Sequence, residues 1–230
     1  MNLNNSHTAG AGSVALSHHL SDETLLDYAN GSLSSAMETL VACHLTVCPH
    51  CRERNRVTDD VGGELLSSCK PASTKLSAAE LLNQARSQPP ISVSKAPNPV
   101  GDASVPRPLA RLLPGPIESL NWRNVAPGVK QFALSQQPMK DGAFKLLRLE
   151  PGVTLSQHTH NERELTYVVR GSYHDEVGQF RAGDIADLDN HVEHCPVVDT
   201  EEVCIALIAT DAPVKYSTVL GKIMQPFVGI

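Results

Sequence analysis

The densest chemistry in the N-terminal half of this chain is the run His44-x3-Cys48-x2-Cys51. His44 and Cys48 are four residues apart, so on a helix they share a face. Pro49 stops that helix and is suited to open another, leaving Cys48 and Cys51 around a turn. Zinc takes thiolates and imidazoles and asks for four of them in a tetrahedron. The fourth must come from outside the run. His18 or His19, just ahead of the first expected helix, stands where it can clamp that helix to the others. A lone Cys-x2-Cys could also be a redox pair, but that chemistry expects a βαβ setting rather than a helical hairpin. A c-type haem needs His after the second cysteine, where this chain has Arg52. Cys43, His50 and Cys69 read as bystanders. A closed site of two histidines and two cysteines is structural and supplies folding energy.

A second constellation occupies the C-terminal half: Gly152-x5-His158-x-His160-x3-Glu164-x6-Gly171, then Gly183-x5-Asp189-x-His191-x2-His194. Side chains alternate along a strand, so His158, His160 and Glu164 can share the inner face of a barrel. Both spacings resemble the two cupin motifs. That resemblance implies a site of three histidines and one glutamate, with His194 rather than His191 as the last ligand. Asp189, His191 and Val198 depart from the second motif's usual proline, glycine and asparagine, yet all four ligand positions are filled. Such donors suit zinc, iron, manganese, nickel or copper. His174 reads as a non-ligand.

The elements that must carry these residues change character along the chain. Before residue 88 the patterns are helical. Ser21 precedes Asp22 and Glu23 and the apolar stripe Leu25, Leu26, Tyr28 and Ala29. Ser35 with Glu38 forms a capping-box pattern ahead of Leu40, Val41 and Leu45, and Ser77 with Glu80 forms another ahead of Leu81 and Leu82. A third helix is expected from Pro49 to about Leu66, weakened by Gly62-Gly63. Four short helices leave a thin core, so something must tie them together. Eight of the sixteen prolines fall between Pro89 and Pro116, which reads as a semi-extended linker. Beyond it, Phe144–Leu149, Val153–Gln157, Leu165–Val169 and Val203–Ile208 read as strands of a sandwich or barrel. The expected organisation is two-domain, α followed by all-β: helices in 1–87 with 1–17 disordered, linker 88–116, and a β-barrel in 117–230.

Composition narrows the function. The chain has 230 residues, 41% apolar and 4% aromatic, with a net charge of −6. Scarce aromatics argue against base stacking, and the negative charge disfavours general phosphate binding. From Glu150 to Asp211 there are 13 acidic and 3 basic residues, a local net of −10, which leaves about +4 elsewhere. Between Leu20 and Ser87, nine acidic and six basic residues provide no electrostatic footprint for DNA, and Arg52, Arg54 and Arg56 make only a short basic patch expected to face solvent or an acidic protein. No run approaches the roughly 20 apolar residues of a membrane span, and Met1–Leu20 lacks the features of a secretory signal. Six cysteines without such a signal point to a reducing, cytoplasmic setting.

The segment from His18-His19-Leu-Ser-Asp-Glu-Thr-Leu-Leu-Asp-Tyr-Ala-Asn-Gly, with His44-Leu-Thr-Val-Cys48-Pro-His-Cys51, resembles the zinc-binding anti-sigma domain, closest to the ChrR type of anti-sigma factor. The resemblance covers the chain from about His18 to the C-terminus, because that family joins this domain to a cupin-like, jelly-roll β-barrel. It implies that His19 is the fourth ligand, giving His19, His44, Cys48 and Cys51. It also implies zinc at the second site, His158, His160, Glu164 and His194. By the same resemblance, the partner is an extracytoplasmic-function, sigma-E-like sigma factor that the helical domain keeps from RNA polymerase. The resemblance also implies release by singlet oxygen or related oxidants; the nearby oxidisable groups, rather than the resemblance, suggest the cupin metal, Cys195 or Cys204 as its trigger. The competing reading is a metal-dependent cupin enzyme such as a dioxygenase. Against it, such an enzyme has no need of the helical zinc module, and no further acid–base pair is tied to the site. The expectation is a regulator, not an enzyme.

Overall fold

The computed structural model describes residues 16–71, 76–89, 102, 104–134, 142–159, 163–188, 193–211 and 215–216. Helix α1 spans Asp22–Asn30, capped by the Ser21 side chain and ended by Gly31 at φ 72°. Helix α2 spans Ser35–Val47. Its cap is Ser34, whose hydroxyl accepts from the Met37 amide, and not Ser35 as the capping-box pattern suggests. Two consecutive serines offer the same chemistry, and the chain uses the earlier one. Helix α3 spans Pro49–Ser68 with Pro49 in its first turn. Helix α4, Ala78–Ser87, has the full capping box of Ser77 and Glu80 but no buried residue.

Of the proline-rich stretch, residues 90–101 and 103 lie outside the described residues, and its described C-terminal end is not free of the fold. Arg107–Ala110 forms a short helix, α5, packed beside α2, and Leu109 is completely buried. Asp102 pairs with Arg170. Prolines remove donors without preventing burial, so this end of the segment straps down onto the fold.

Among the described residues, eleven strands follow: β1 Arg123–Ala126, β2 Val129–Ala133, β3 Ala143–Leu149, β4 His158–Thr159, β5 Glu164–Arg170, β6 Ser172–His174, β7 Gln179–Arg181, β8 Ile185–Leu188, β9 Val197–Val198, β10 Cys204–Thr210 and β11 Lys215–Tyr216. They form a six-stranded sheet, β1-β2-β3-β10-β5-β8, a three-stranded sheet, β7-β6-β9, and the pair β11-β4. Every pairing is antiparallel. The segment Val153–Gln157, read above as a strand, contributes only an isolated bridge from Thr154 to Val197.

Two cores explain why β5 and β10 read as continuous apolar runs rather than alternating ones. One face of the large sheet packs Leu147, Val168, Ala206 and Ile208 against Tyr173, Phe180 and Val198 of the small sheet. The opposite face packs Leu146, Leu165, Tyr167, Ile205 and Leu207 against Leu25, Met37, Leu40, Val41 and Leu109. Strands buried on both faces lose the polar half of the pattern. The helical core is thin when counted alone, as expected, and the sheet completes it. Helix α2 lies across β5 and β10.

Candidate metal centre

The turn between α2 and α3 carries both cysteines. Cys48 has β-region backbone, its thiol accepts from the Cys51 amide at 3.4 Å, and Pro49 starts α3. His44 lies one turn upstream on α2, so its Nε2 reaches Cys51 Sγ at 3.3 Å. His19 enters from the strap before α1, with Nδ1 at 3.4 Å from Cys48 Sγ and 3.7 Å from Cys51 Sγ. One ligand atom from each of His19, His44, Cys48 and Cys51 falls within 4.8 Å of all the others. His44, Cys48 and Cys51 are buried. This is a closed, four-donor centre that could hold a metal ion, with the donor set that zinc favours in structural sites.

The protonation chemistry suits that use. Burial pushes the His44 imidazole down to about 4, keeping it neutral. Burial and the nearby His50 lower His19 as well. Burial pushes the Cys51 thiol up to about 11, so a bound cation must displace its proton. His44 Nδ1 lies 2.9 Å from the Gly183 carbonyl. A carbonyl only accepts, which puts the proton on Nδ1 and the lone pair on Nε2, facing the sulfurs.

The strap resolves the choice between the two adjacent histidines. His18 turns the other way and stacks on Phe180, with ring centroids 3.8 Å apart. His50 stays near His19, with ring centroids 4.5 Å apart. Cys43 is buried beneath α5 and Cys69 is exposed. The three arginines of α3 have intramolecular partners: Arg52 donates to the Leu45 and Thr46 carbonyls, Arg54 to Asp22 and the Leu20 carbonyl, and Arg56 to Glu53 and Asp60.

Of the second constellation, Glu164 opens β5 and is buried, accepting from Thr166 Oγ1 at 3.2 Å. His194 is buried, with Nδ1 2.9 Å from the Asp175 carboxylate. His158 begins β4, opposite Tyr216. The His158 side chain, His160, Asp189 and His191 lie outside the described residues. Lys145, also buried, enters the same barrel face from β3, and burial pulls it down to about 8 despite the nearby Glu164. His174 is bound to Asp199. Burial pushes Cys204 up to about 12 and also raises Cys195, the opposite of what a reactive thiolate needs. Sequence patterns did not disclose Gly183, Asp184 or Asp175 as neighbours of candidate ligands, because only the fold brings them there.

The chain thus joins a helical hairpin with a closed four-donor centre to an antiparallel β part. Residues 115–213 match the ChrR cupin-like domain family. The anti-sigma-E factor ChrR of Cereibacter sphaeroides is 37% identical over 215 residues, covering 93% of this chain and 99% of the relative. The solved structure of Rhodobacter sphaeroides SigE in complex with the anti-sigma ChrR superposes with a TM-score of 0.72 at 34% identity, over 86% of this chain and 100% of that one. The chain belongs to the ChrR family of anti-sigma factors, which are regulators and not enzymes. Among the described residues, no helix is long and apolar enough to cross a membrane.

Proposed function

We propose that this protein is a cytoplasmic anti-sigma factor whose helical part grips an extracytoplasmic-function, sigma-E-like sigma factor and releases it under oxidative stress. The observation that carries this reading is an unpartnered apolar face. Val57, Val61 and Leu65 repeat every four residues along α3, and with Leu66 they are 50–74% exposed. Leu81 and Leu82 of α4 are exposed as well. A monomer gains nothing from presenting such a stripe, whereas a helical partner can bury it. The solved relative is a complex with a sigma factor, which supports the same use here.

Zinc is the proposed occupant of the centre formed by His19, His44, Cys48 and Cys51. When bound it would supply cross-linking of the strap, α2 and α3. A second metal, proposed as zinc, would be held by His158, His160, Glu164 and His194. The Asp175–His194 hydrogen bond supports that reading, because an imidazole tied at Nδ1 to a carboxylate is oriented to ligate through Nε2. Signal reception belongs to this β part. Burial holds the Cys204 thiol protonated and the partly exposed Cys195 is raised as well, which favours the metal over the thiols as its trigger. Co-purification of the full chain with sigma-E-like sigma factors of its own organism tests the reading. A stoichiometric complex that blocks sigma-dependent transcription supports it, and absence of any sigma binding contradicts it.

A further inference from the structure

The hydrogen bonds around the thiol–imidazole centre do not stay within the helical part. Nδ1 of His44 donates to the Gly183 carbonyl, in the turn before β8. Next to it, the Asp184 carboxylate is 2% exposed and satisfied by backbone donors. Its Oδ1 accepts from the Ser17 amide at 2.9 Å and the His18 amide at 3.1 Å. Its Oδ2 accepts from the Arg181 amide at 2.9 Å. Ser17 and His18 are the residues immediately before the ligand His19. On the other side of His19, the Ser21 amide donates to Asp187 at 2.9 Å. The ligand therefore sits in a strap pinned to the β part on both sides.

We propose that the Gly183 carbonyl and the Asp184 carboxylate are positioning groups for the His19–His44–Cys48–Cys51 centre, so that metal occupancy and docking of the helices on the sheet are one coupled equilibrium. The proposal rests on the zinc reading above. Gly183 selects the His44 tautomer whose Nε2 can ligate, and Asp184 fixes the strap in the register that aims His19, not His18, at the sulfurs. A buried carboxylate is tolerable only while such donors satisfy it, so undocking would release the strap and the Asp184 bonds together. Coupling of this kind is reciprocal: docking tightens the metal and the metal tightens docking, by the same factor. It gives the β part a physical handle on the helical part that needs no contact with the sigma factor.

The full-length chain carrying His160→Ala, which removes a candidate ligand of the second site, isolates the first. Zinc affinity is read by competition with a chromophoric chelator. Asp184→Ala is expected to weaken zinc by about 10- to 100-fold, the usual effect of losing an outer partner of a metal ligand. Asp184→Asn keeps an acceptor oxygen and should recover most of that loss. Equal affinity in Asp184→Ala and the parent, or equal losses in the Ala and Asn variants, overturns the proposal. If Asp184→Ala does not fold, hydrogen exchange on the parent decides instead. Removing zinc should speed exchange at the Ser17 and His18 amides and across residues 181–187, and unchanged exchange there overturns the coupling. A parent chain that takes up no zinc at this centre defeats the zinc reading itself.

Discussion

The Arg163 guanidinium donates to the Asp27 carboxylate at 2.7 Å and to Glu23 at 2.9 Å, which ties the start of β5 to α1 one residue before Glu164. A candidate ligand of the β part and a clamp on the helical part are thus adjacent in the chain. Arg163→Ala should lower stability by about 1 kcal/mol, because Asp27 is partly buried while Glu23 is solvent-exposed and contributes little. Urea titration of the full chain checks this through the midpoint at constant slope. An unchanged midpoint would mean that the clamp is ornamental.

The paired thiols make a sharper test. Cys48→Ser with Cys51→Ser should remove one equivalent of zinc and lower the thermal stability of α2 and α3, because a structural centre contributes its binding energy to folding. Metal analysis and thermal melts by far-ultraviolet circular dichroism read the two effects separately. Retained zinc with an unchanged melt refutes these ligands.

Acid should destabilise the metal-free protein through His44. Its folded value, about 4, lies below the ordinary 6.5, so the unfolded chain binds the proton first. The stability held above pH 6.5 is therefore lost as pH falls toward about 4, by on the order of 3 kcal/mol. Thermal melts of chelator-treated protein across that window, compared with His44→Gln, provide the measurement. A variant with the same pH slope as the parent would remove His44 as the cause.

Leu109 tests the reassigned proline segment. A linker residue tolerates truncation, whereas a buried leucine costs about 2–5 kcal/mol when cut to alanine. Leu109 is fully buried in the core shared by α2 and the sheet, so Leu109→Ala should fall in the second range.

These outcomes also separate what was legible in the sequence from what was not. His44, Cys48 and Cys51 were readable as converging donors because i, i+4 spacing and a proline-started helix are local geometry, whereas spacing left His18 and His19 open and only the family resemblance implied His19. Ser21 and the Ser77–Glu80 box were readable for the same reason, and Ser34 was missed only through a neighbouring serine. The shared core was not readable. Leu25 and Leu207 belong to one core across more than 180 positions of sequence, and no periodicity announces such a joint burial. The burial of Leu109 was concealed by prolines whose ordinary meaning is extension. Gly183 entered the sequence reading only as the start of the second cupin-like motif and Asp184 not at all, and only the docked strap brings them to the first centre.

The exposed stripe bears the central claim. In transcription with core RNA polymerase and the cognate sigma factor, the full chain should abolish sigma-dependent initiation. Val61→Asp with Leu65→Asp should restore it while shifting stability by no more than about 0.5 kcal/mol per site, since both side chains face solvent. Inhibition by the double variant equal to that of the parent would contradict the assigned face, and a parent chain that leaves transcription untouched would contradict anti-sigma function.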